Sequence, residues 1–173
     1  MIIWLIGMSA AGKTAVGKEL HSLMKGSYNN AVFMDGDHFR TIMGNDLGHS
    51  IEDRRRNADR FCRMSQYLEE QGVHAVCSIL SIFQESREWN RNNLKKYFEV
   101  FIDVPFEVLV QRDPKKIYER ALKGEIKDVV GVDMDFPRPT NPDLVIDNKG
   151  DRSPREVAEE IYNTIKSRGM LDV

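Results

Sequence analysis

The sequence contains few cysteines and no long apolar run, and both absences narrow the classes of protein that it can encode. Only Cys62 and Cys77 occur among 173 residues. No further cysteine or histidine lies near them at the spacing of a zinc site, so we expect two buried thiols in a reducing compartment. No apolar stretch reaches the roughly 18 residues of a membrane span, and no basic leader precedes the first apolar run. We therefore expect a cytoplasmic protein that does not associate with a membrane.

The sequence also lacks an excess of either charge. It carries 25 basic and 27 acidic side chains, and its net charge is -2. A protein that binds nucleic acid or an anionic membrane through its overall charge is usually much more basic. We therefore expect neither partner, and any site for an anion must be local.

What the sequence does contain is an alternation of strand-like and helical segments. With 41% hydrophobic and 30% charged residues, the chain has the composition and length of one globular domain over residues 1–173. Five runs rich in Val, Ile and Phe predict strands at Ile2–Ile6, Ala31–Met34, Val73–Leu80, Glu99–Val104 and Leu144–Ile146. Helical patterns separate them, which predicts an α/β fold with a five-stranded parallel sheet and helices on both faces. Ligands of such sheets bind at the carboxyl ends of the strands.

Two further segments have a recognisable local pattern. "SPRE" at residues 153–156 predicts the start of the last helix, with Ser153 as the cap and Glu156 completing a capping box. Residues 113–142 have the weakest strand pattern and the most charge. This composition favours a short helix followed by a mobile lid over the site.

The segment "GMSAAGKT", residues 7–14, matches the phosphate-binding pattern G-x-x-x-x-G-K-[ST]. It follows the first predicted strand and precedes a helical pattern, as the motif requires; the alternative is a chance match in a turn of small residues. In the motif, backbone N–H groups surround the phosphates, Lys13 contacts the β and γ phosphates, and the Thr14 hydroxyl binds Mg²⁺. The sequence thus predicts an ATP site that includes Gly7, Ser9, Ala10, Ala11, Gly12, Lys13 and Thr14.

Two carboxylates follow the second predicted strand in "MDGDHFR". Asp35 and Asp37 either belong to a plain Asp-Gly turn or face the phosphate loop at the same edge of the sheet. Beside bound Mg-ATP, one carboxylate orients or deprotonates the acceptor hydroxyl, and another holds metal-bound water.

Basic side chains follow the two carboxylates. Arg40 comes first, and "DRRRN" then opens a predicted helix. Arg54, Arg55 and Arg56 either form an exposed basic turn, or one of them faces an anionic acceptor. The second interpretation is favoured by the bidentate geometry with which a guanidinium binds phosphate and sulfate.

These segments resemble a known family. The resemblance rests on "MDGDHFR", "NDLGHSIEDRRRN", "SILS", "FIDVPFEVLVQRDPKKIYERALKGEIKDVVGVD" and "NPDLVIDN". Together with the phosphate loop they are similar to adenylylsulfate kinase, which uses ATP to phosphorylate the ribose 3'-hydroxyl of adenosine 5'-phosphosulfate. The similarity extends in order to about residue 148. It implies a P-loop kinase fold and a homodimer.

The resemblance also implies roles for individual residues. Asp37 would be the acceptor-side base, and with Lys13 and Ser81 it makes up the expected catalytic set. Asp35 would lie near the metal that Thr14 binds. Arg112 would lie near the adenine of ATP, and Lys115 would extend from the lid over the phosphates. The expected acceptor site comprises Asp35, Asp37, Arg40, His49, Arg54, Asn57, Ile79, Leu80, Ser81, Lys115 and Val129.

The sequence departs from the family around the base of the acceptor. The family has "LGFS" where this chain has "LGHS", with His49, and it has an aromatic residue where this chain has Val129. Those two aromatic rings hold the adenine of the acceptor between them in the family. In addition, "ISPYR" of the family becomes "LSIFQ", which places Ile82 and Gln84 where the family has proline and arginine. Adenosine 5'-phosphosulfate is the first candidate acceptor, and another nucleotide, such as cytidine diphosphoramidate in capsule modification, is the alternative.

Two further alternatives come from other classes of protein. "NKGD" at residues 148–151 fits the guanine-recognition pattern of GTPases, but the D-x-x-G switch motif is absent after the second strand, so we interpret this segment as a turn. A regulatory module that binds nucleotide without turnover is the other alternative. Such a module would not need Asp37, Arg54 and Asn57 at their matching places.

Overall fold

Five parallel strands form one sheet at the centre of the molecule. The computed structural model describes residues 1–171. The strands are β1 (Ile2–Ile6), β2 (Ala31–Asp35), β3 (His74–Ile79), β4 (Tyr97–Asp103) and β5 (Leu144–Asp147), and their order in the sheet is β2-β3-β1-β4-β5. The helices are α1 (Lys13–Lys25), α2 (Gly36–Ile42), α3 (Ile51–Glu70), α4 (Gln84–Asn93), α5 (Phe106–Arg112), α6 (Ile117–Leu122) and α7 (Pro154–Ser167).

The five predicted strands are confirmed, with ends that differ by one or two residues. The largest difference is at β4, which begins at Tyr97 because Tyr97 pairs with Ile2 of the central strand. β1 lies between β3 and β4, and all five of its residues are buried. Burial on both faces explains why this strand is apolar at every position.

The two faces of the sheet carry separate apolar cores. Ile3 and Leu5 of β1 belong to the core that the buried residues of α1 and α7 complete. Trp4 points to the opposite face, where it packs with Phe61 and Cys62 of α3. Helices on both faces therefore leave the carboxyl edge of the sheet open for a ligand.

Local sequence signals set several helix ends. α7 begins with the predicted capping box, in which Ser153 and Glu156 exchange hydrogen bonds. α1 begins differently, because its first residue follows Gly12 and no side chain caps it within the described part of the chain. The free N–H groups of such a helix start are available to an anion.

The expectation of two buried thiols is confirmed. Cys62 and Cys77 are buried and not bonded to each other, and burial raises the pKa of each thiol to about 12. Over residues 1–171, no helix is long and apolar enough to cross a bilayer. The segment 113–142 contains the short helix α6 and one isolated bridge, Val130–Met134. Its mobility stays a prediction.

Candidate active site

The loop between β1 and α1 curls into a cradle of backbone N–H groups. Gly12 has a φ of 92° and Ala10 one of 64°, both in the left-handed region. A Cβ on Gly7 would lie 2.8 Å from the Ile102 carbonyl oxygen, so only glycine lets the loop leave the sheet at this point. Left-handed residues turn successive N–H groups towards one side, which suits a phosphate.

Lys13 crosses the loop and is poorly solvated. Its Nζ donates a hydrogen bond to the Met8 carbonyl oxygen at 2.7 Å. Burial lowers the pKa of Lys13 to about 8, although the carboxylates of Asp37 and Asp35 partly oppose this shift. A cation that is only partly compensated in this way is suited to bind an anion such as phosphate.

Asp35 and Thr14 are adjacent at the edge of the sheet. Thr14 Oγ1 donates to Asp35 Oδ2 at 2.6 Å, while Asp35 Oδ1 accepts from the backbone N–H of Asp37 at 3.0 Å and so caps α2. Within residues 1–171, no group of three or more His, Cys, Asp or Glu side chains is placed to hold a metal. A hydroxyl beside one carboxylate fits Mg²⁺, which usually keeps several waters and completes its shell with substrate phosphates.

Asp37 lies opposite the phosphate loop and forms an ion pair with Lys115 of the segment 113–142. Its side chain is 70% exposed. Burial by itself would raise the pKa of Asp37, but the hydrogen bond from Lys115 and the charges of Lys13 and Arg40 lower it below the usual value. The carboxylate is therefore ionised at neutral pH and able to accept a proton.

One cavity of about 1020 Å³ joins the phosphate loop to the acceptor side. All predicted site residues except Gly7 and Ala11 line it. Those two loop residues are buried, and the Ala11 carbonyl oxygen accepts from Asn148 Nδ2 at 3.1 Å. Asn148, the first residue of "NKGD", thus supports the phosphate loop, and Lys149 pairs with Asp147.

Of the three consecutive arginines, only Arg54 lines this cavity. Its Nε donates to the His49 carbonyl oxygen at 2.9 Å, and its Nη2 donates to the Asp128 carbonyl oxygen at 2.7 Å. Arg55 instead lies over the ring of Phe83, 4.4 Å from its centroid. The interpretation that one arginine of the three faces the site agrees with this geometry.

Asn57 and Arg40 complete the polar wall on the acceptor side. Asn57 is 6% exposed, and its Oδ1 has no hydrogen-bond partner within the described chain. An unpaired buried carbonyl is costly, so it calls for a donor from a ligand or from water. Arg40 donates to the Gly48 carbonyl oxygen at 2.9 Å.

The base-recognition region differs in character from this polar wall. His49 is exposed at the surface, and partial desolvation of its ring together with the charges of Arg54 and Arg40 lowers its pKa, which favours the neutral ring. Val129 is only 6% exposed and packs in the core beneath the cavity. Neither position offers the large apolar ring that stacks on a purine.

Ser81 lies where β3 leaves the sheet, in a left-handed conformation with a φ of 55°. Its Oγ accepts from Trp4 Nε1 at 3.1 Å, and its carbonyl oxygen accepts from Arg87 Nη1 at 2.6 Å. Sequence reasoning did not identify these two partners, because a tryptophan in a strand and an arginine on a helix have no pattern that links them to Ser81. Arg112 lies on the other side of the cavity and donates to the Asn148 carbonyl oxygen at 3.0 Å.

Comparison with known proteins agrees with this arrangement. The family model of adenylylsulphate kinase matches residues 1–147. The chain is 38% identical to cytidine diphosphoramidate kinase of Campylobacter jejuni over 167 residues, covering 95% of each chain. It is 35% identical to a probable adenylyl-sulfate kinase of Archaeoglobus fulgidus, over 87% of this chain and 98% of that one.

Solved structures give the same result. The APS kinase CysC of Mycobacterium tuberculosis, solved in complex with AMPPNP and APS, superposes with a TM-score of 0.85 at 34% identity and covers 95% of this chain and 96% of its own. Shikimate kinase of Aquifex aeolicus, at 21% identity and a TM-score of 0.53 over 99% of this chain and 100% of its own, shares the fold alone. The family match, the curated kinases and the close structural similarity to an APS kinase show that the chain belongs to the adenylylsulphate kinase family of phosphotransferases.

Proposed function

We propose that the protein transfers the γ-phosphate of ATP to the ribose 3'-hydroxyl of a nucleotide that carries a 5'-anhydride. The observation that supports this proposal most directly is that Lys13 and Thr14 of the phosphate loop share one cavity with Asp37, Arg54 and Asn57. A protein that only bound ATP would not need the second group. Two facing sets of polar side chains suit a reaction in which the phosphate donor and the acceptor hydroxyl are held in line with the transferred phosphoryl group.

Each side of the cavity has its own task in this reaction. Lys13 and the loop N–H groups would bind the β and γ phosphates, and Thr14 and Asp35 are the residues that would hold Mg²⁺. The metal, when bound, offsets charge on the phosphates. Asp37 orients the acceptor hydroxyl and takes its proton as the oxygen bonds to the γ-phosphorus and the bond to the β-phosphate oxygen breaks.

Two acceptors fit the reaction, and they differ in the base that would contact the pocket around His49 and Val129. Adenosine 5'-phosphosulfate is the substrate for which the family is named. Cytidine diphosphoramidate is favoured by His49 and Val129, since neither side chain stacks on adenine as a large aromatic ring does, and by the 38% identity to a kinase named for that compound. We propose that this pocket takes the smaller pyrimidine base in preference to adenine.

A coupled ADP-release assay with a panel of nucleotide acceptors tests both the phosphoryl transfer and the preference for a pyrimidine base. We expect turnover with nucleotide 5'-anhydrides and a higher kcat/KM for the cytidine compound than for adenosine 5'-phosphosulfate. Stacking on one aromatic ring contributes about 1 to 3 kcal/mol. The double variant His49→Phe, Val129→Phe should therefore gain activity with the adenine acceptor by about tenfold or more.

Controls separate the proposed kinase reaction from the proposed preference for a pyrimidine base. Because Val129 is buried, the thermal midpoint of each single variant must first be shown to match that of the parent. If the parent prefers the adenine acceptor and the double variant gains nothing, the pyrimidine preference is wrong while the kinase activity stands. If no nucleotide 5'-anhydride stimulates ADP release, the proposed reaction itself is wrong.

We also propose a homodimer in the cytoplasm, on the grounds of the family resemblance and the composition. Light scattering coupled to size-exclusion chromatography measures the mass directly. A mass near twice the 19.9 kDa of one chain is expected, and a mass equal to that of one chain would contradict the dimer.

A further inference from the structure

The turn that follows β3 is held from behind by residues that do not face the cavity. Ser81 adopts a left-handed conformation, which for a residue other than glycine is strained and is often found at functional sites. Its hydroxyl oxygen and its carbonyl oxygen are fixed by Trp4 and by Arg87, respectively. Residues 79–83 line the cavity, and Arg87 does not.

Arg87 forms an unusual buried ion pair. Arg87 and Glu99 are each 2% exposed, and the Arg87 Nε lies 3.7 Å from Glu99 Oε1. Burial lowers the pKa of the guanidinium and raises that of the carboxyl group, so the surroundings oppose both charges. Replacing such a pair with apolar residues is often neutral or stabilising, so stability alone does not explain it.

The geometry of the guanidinium explains what the pair achieves. Besides the bond from Nη1 to the Ser81 carbonyl oxygen, Nη2 donates to Oε1 of Gln84, the first residue of α4. The planar guanidinium thus links Ser81 in the turn to the first residue of α4, and the ion pair with Glu99 of β4 holds the guanidinium in this orientation. The single ammonium group of a lysine cannot make both contacts in this geometry.

We propose that Arg87 is a positioning residue that holds the turn of residues 80–83 in the shape required to bind the acceptor nucleotide. This proposal rests on the proposed function for its link to the acceptor. Arg87 makes no described contact with the phosphate loop, where we propose that ATP binds, so we expect its effect to be confined to the acceptor.

Arg91 provides a matched control within the same network. Its Nη2 lies 3.4 Å from Glu99 Oε2 and donates to the Asn141 carbonyl oxygen at 2.8 Å. It therefore shares the carboxylate with Arg87 but makes none of the described contacts to the turn. A general disturbance of the buried charges would affect both arginines alike.

The test compares Arg87→Lys, the double variant Arg87→Met, Glu99→Leu and the control Arg91→Lys. In both Arg87 variants we expect the KM for the acceptor to rise about tenfold or more, with the Kd for ATP unchanged within about twofold. In Arg91→Lys both constants should stay close to those of the parent. The double variant leaves no unpaired charge from the Arg87–Glu99 pair, so it keeps the test open if Arg87→Lys does not fold.

A second readout does not depend on activity. The indole N–H of Trp4 donates to Ser81, so its signal in a ¹H–¹⁵N spectrum, assigned with Trp89→Phe, reports the turn directly. We expect this signal to shift in both Arg87 variants and not in Arg91→Lys. If the parent lacks kinase activity but the signal shifts, the proposed function fails while the positioning of the turn stands.

Three results would overturn the proposal. They are an unchanged acceptor KM in both Arg87 variants, an equal rise in Arg91→Lys, and loss of folding in both Arg87 variants, which would make the role of the pair structural.

Discussion

At the scale of the residue, we expect Lys13 to couple the proposed binding of ATP to pH. Its pKa is lowered to about 8 by burial, and phosphates bind its charged form. As pH rises above 8, the neutral amine predominates in the free protein, so we expect the Kd for ATP to rise by up to about tenfold per pH unit. Binding of ATP at pH 8.5 should also take up a proton. Calorimetry in buffers of different ionisation enthalpy measures this uptake.

The side chain of Lys115 supplies the control for this pH dependence. The hydrogen bond to Asp37 raises the pKa of Lys115, which therefore does not titrate between pH 7 and 9. Lys115→Met should keep the pH dependence and move it to somewhat higher pH, because the charge of Lys115 helps to lower the pKa of Lys13. A Kd for ATP that stays constant from pH 7 to 9 would contradict the assignment to Lys13.

Replacing Lys13 by alanine tests the phosphate loop itself. Lys13 donates to one backbone carbonyl oxygen and lies outside the two main apolar cores. We therefore expect Lys13→Ala to keep its fold by circular dichroism and to lose at least about 10² in kcat/KM, the cost of removing one charge-stabilising donor. Full activity in this variant would remove the loop from the mechanism.

Asp37→Asn separates a catalytic carboxylate from a turn residue. The amide keeps the shape but cannot accept the proton, so kcat should fall by about 10² to 10⁴, with the Kd for ATP little changed. Because the variant also loses the ion pair with Lys115, Lys115→Met measures that contribution separately. An unchanged kcat in Asp37→Asn would assign this residue to the turn alone.

At the scale of elements, two contacts join the segment 113–142, the predicted lid, to the cavity. Lys115 pairs with Asp37, and the Asp128 carbonyl oxygen accepts from Arg54. Both cavity-side partners belong to the predicted acceptor site, so the position of this segment is connected to the groups that we propose bind the substrates. We expect hydrogen exchange of residues 113–142 to slow when ATP and acceptor bind together. Exchange in α7, which packs away from the cavity, serves as the reference, and an unchanged rate in the lid would contradict a mobile lid.

The sequence predicted the regular elements more completely than the short ones. The strand patterns and the Ser153 cap depend on local residues, and both were confirmed. Helix α2 was not predicted, because its seven residues begin with glycine and Asp-Gly is typical of a turn. The cap from the Asp35 side chain, rather than helix propensity, stabilises its start.

At the scale of the whole molecule, the sequence placed the carboxylates and arginines near the phosphate loop because the parallel sheet brings the carboxyl ends of its strands together. Ser81 and Lys115 were expected only from the family resemblance and not from this geometry. The sequence did not predict the contacts that hold the cavity residues from behind. Trp4 and Ser81 are 77 residues apart in the chain, and Arg87 of helix α4 pairs with Glu99 of strand β4. Such contacts depend on how the elements pack and not on any local spacing, so only the three-dimensional structure identifies them.

The most direct test of the central claim is the identity of the product. The purified protein would be incubated with Mg²⁺, γ-³²P-labelled ATP and each candidate acceptor, and the product analysed by mass spectrometry and ³¹P NMR. We expect one ADP for each nucleotide that gains a phosphate on its ribose 3'-oxygen, with the 5'-anhydride intact. Release of labelled inorganic phosphate alone, or phosphorylation at any other position, would contradict it.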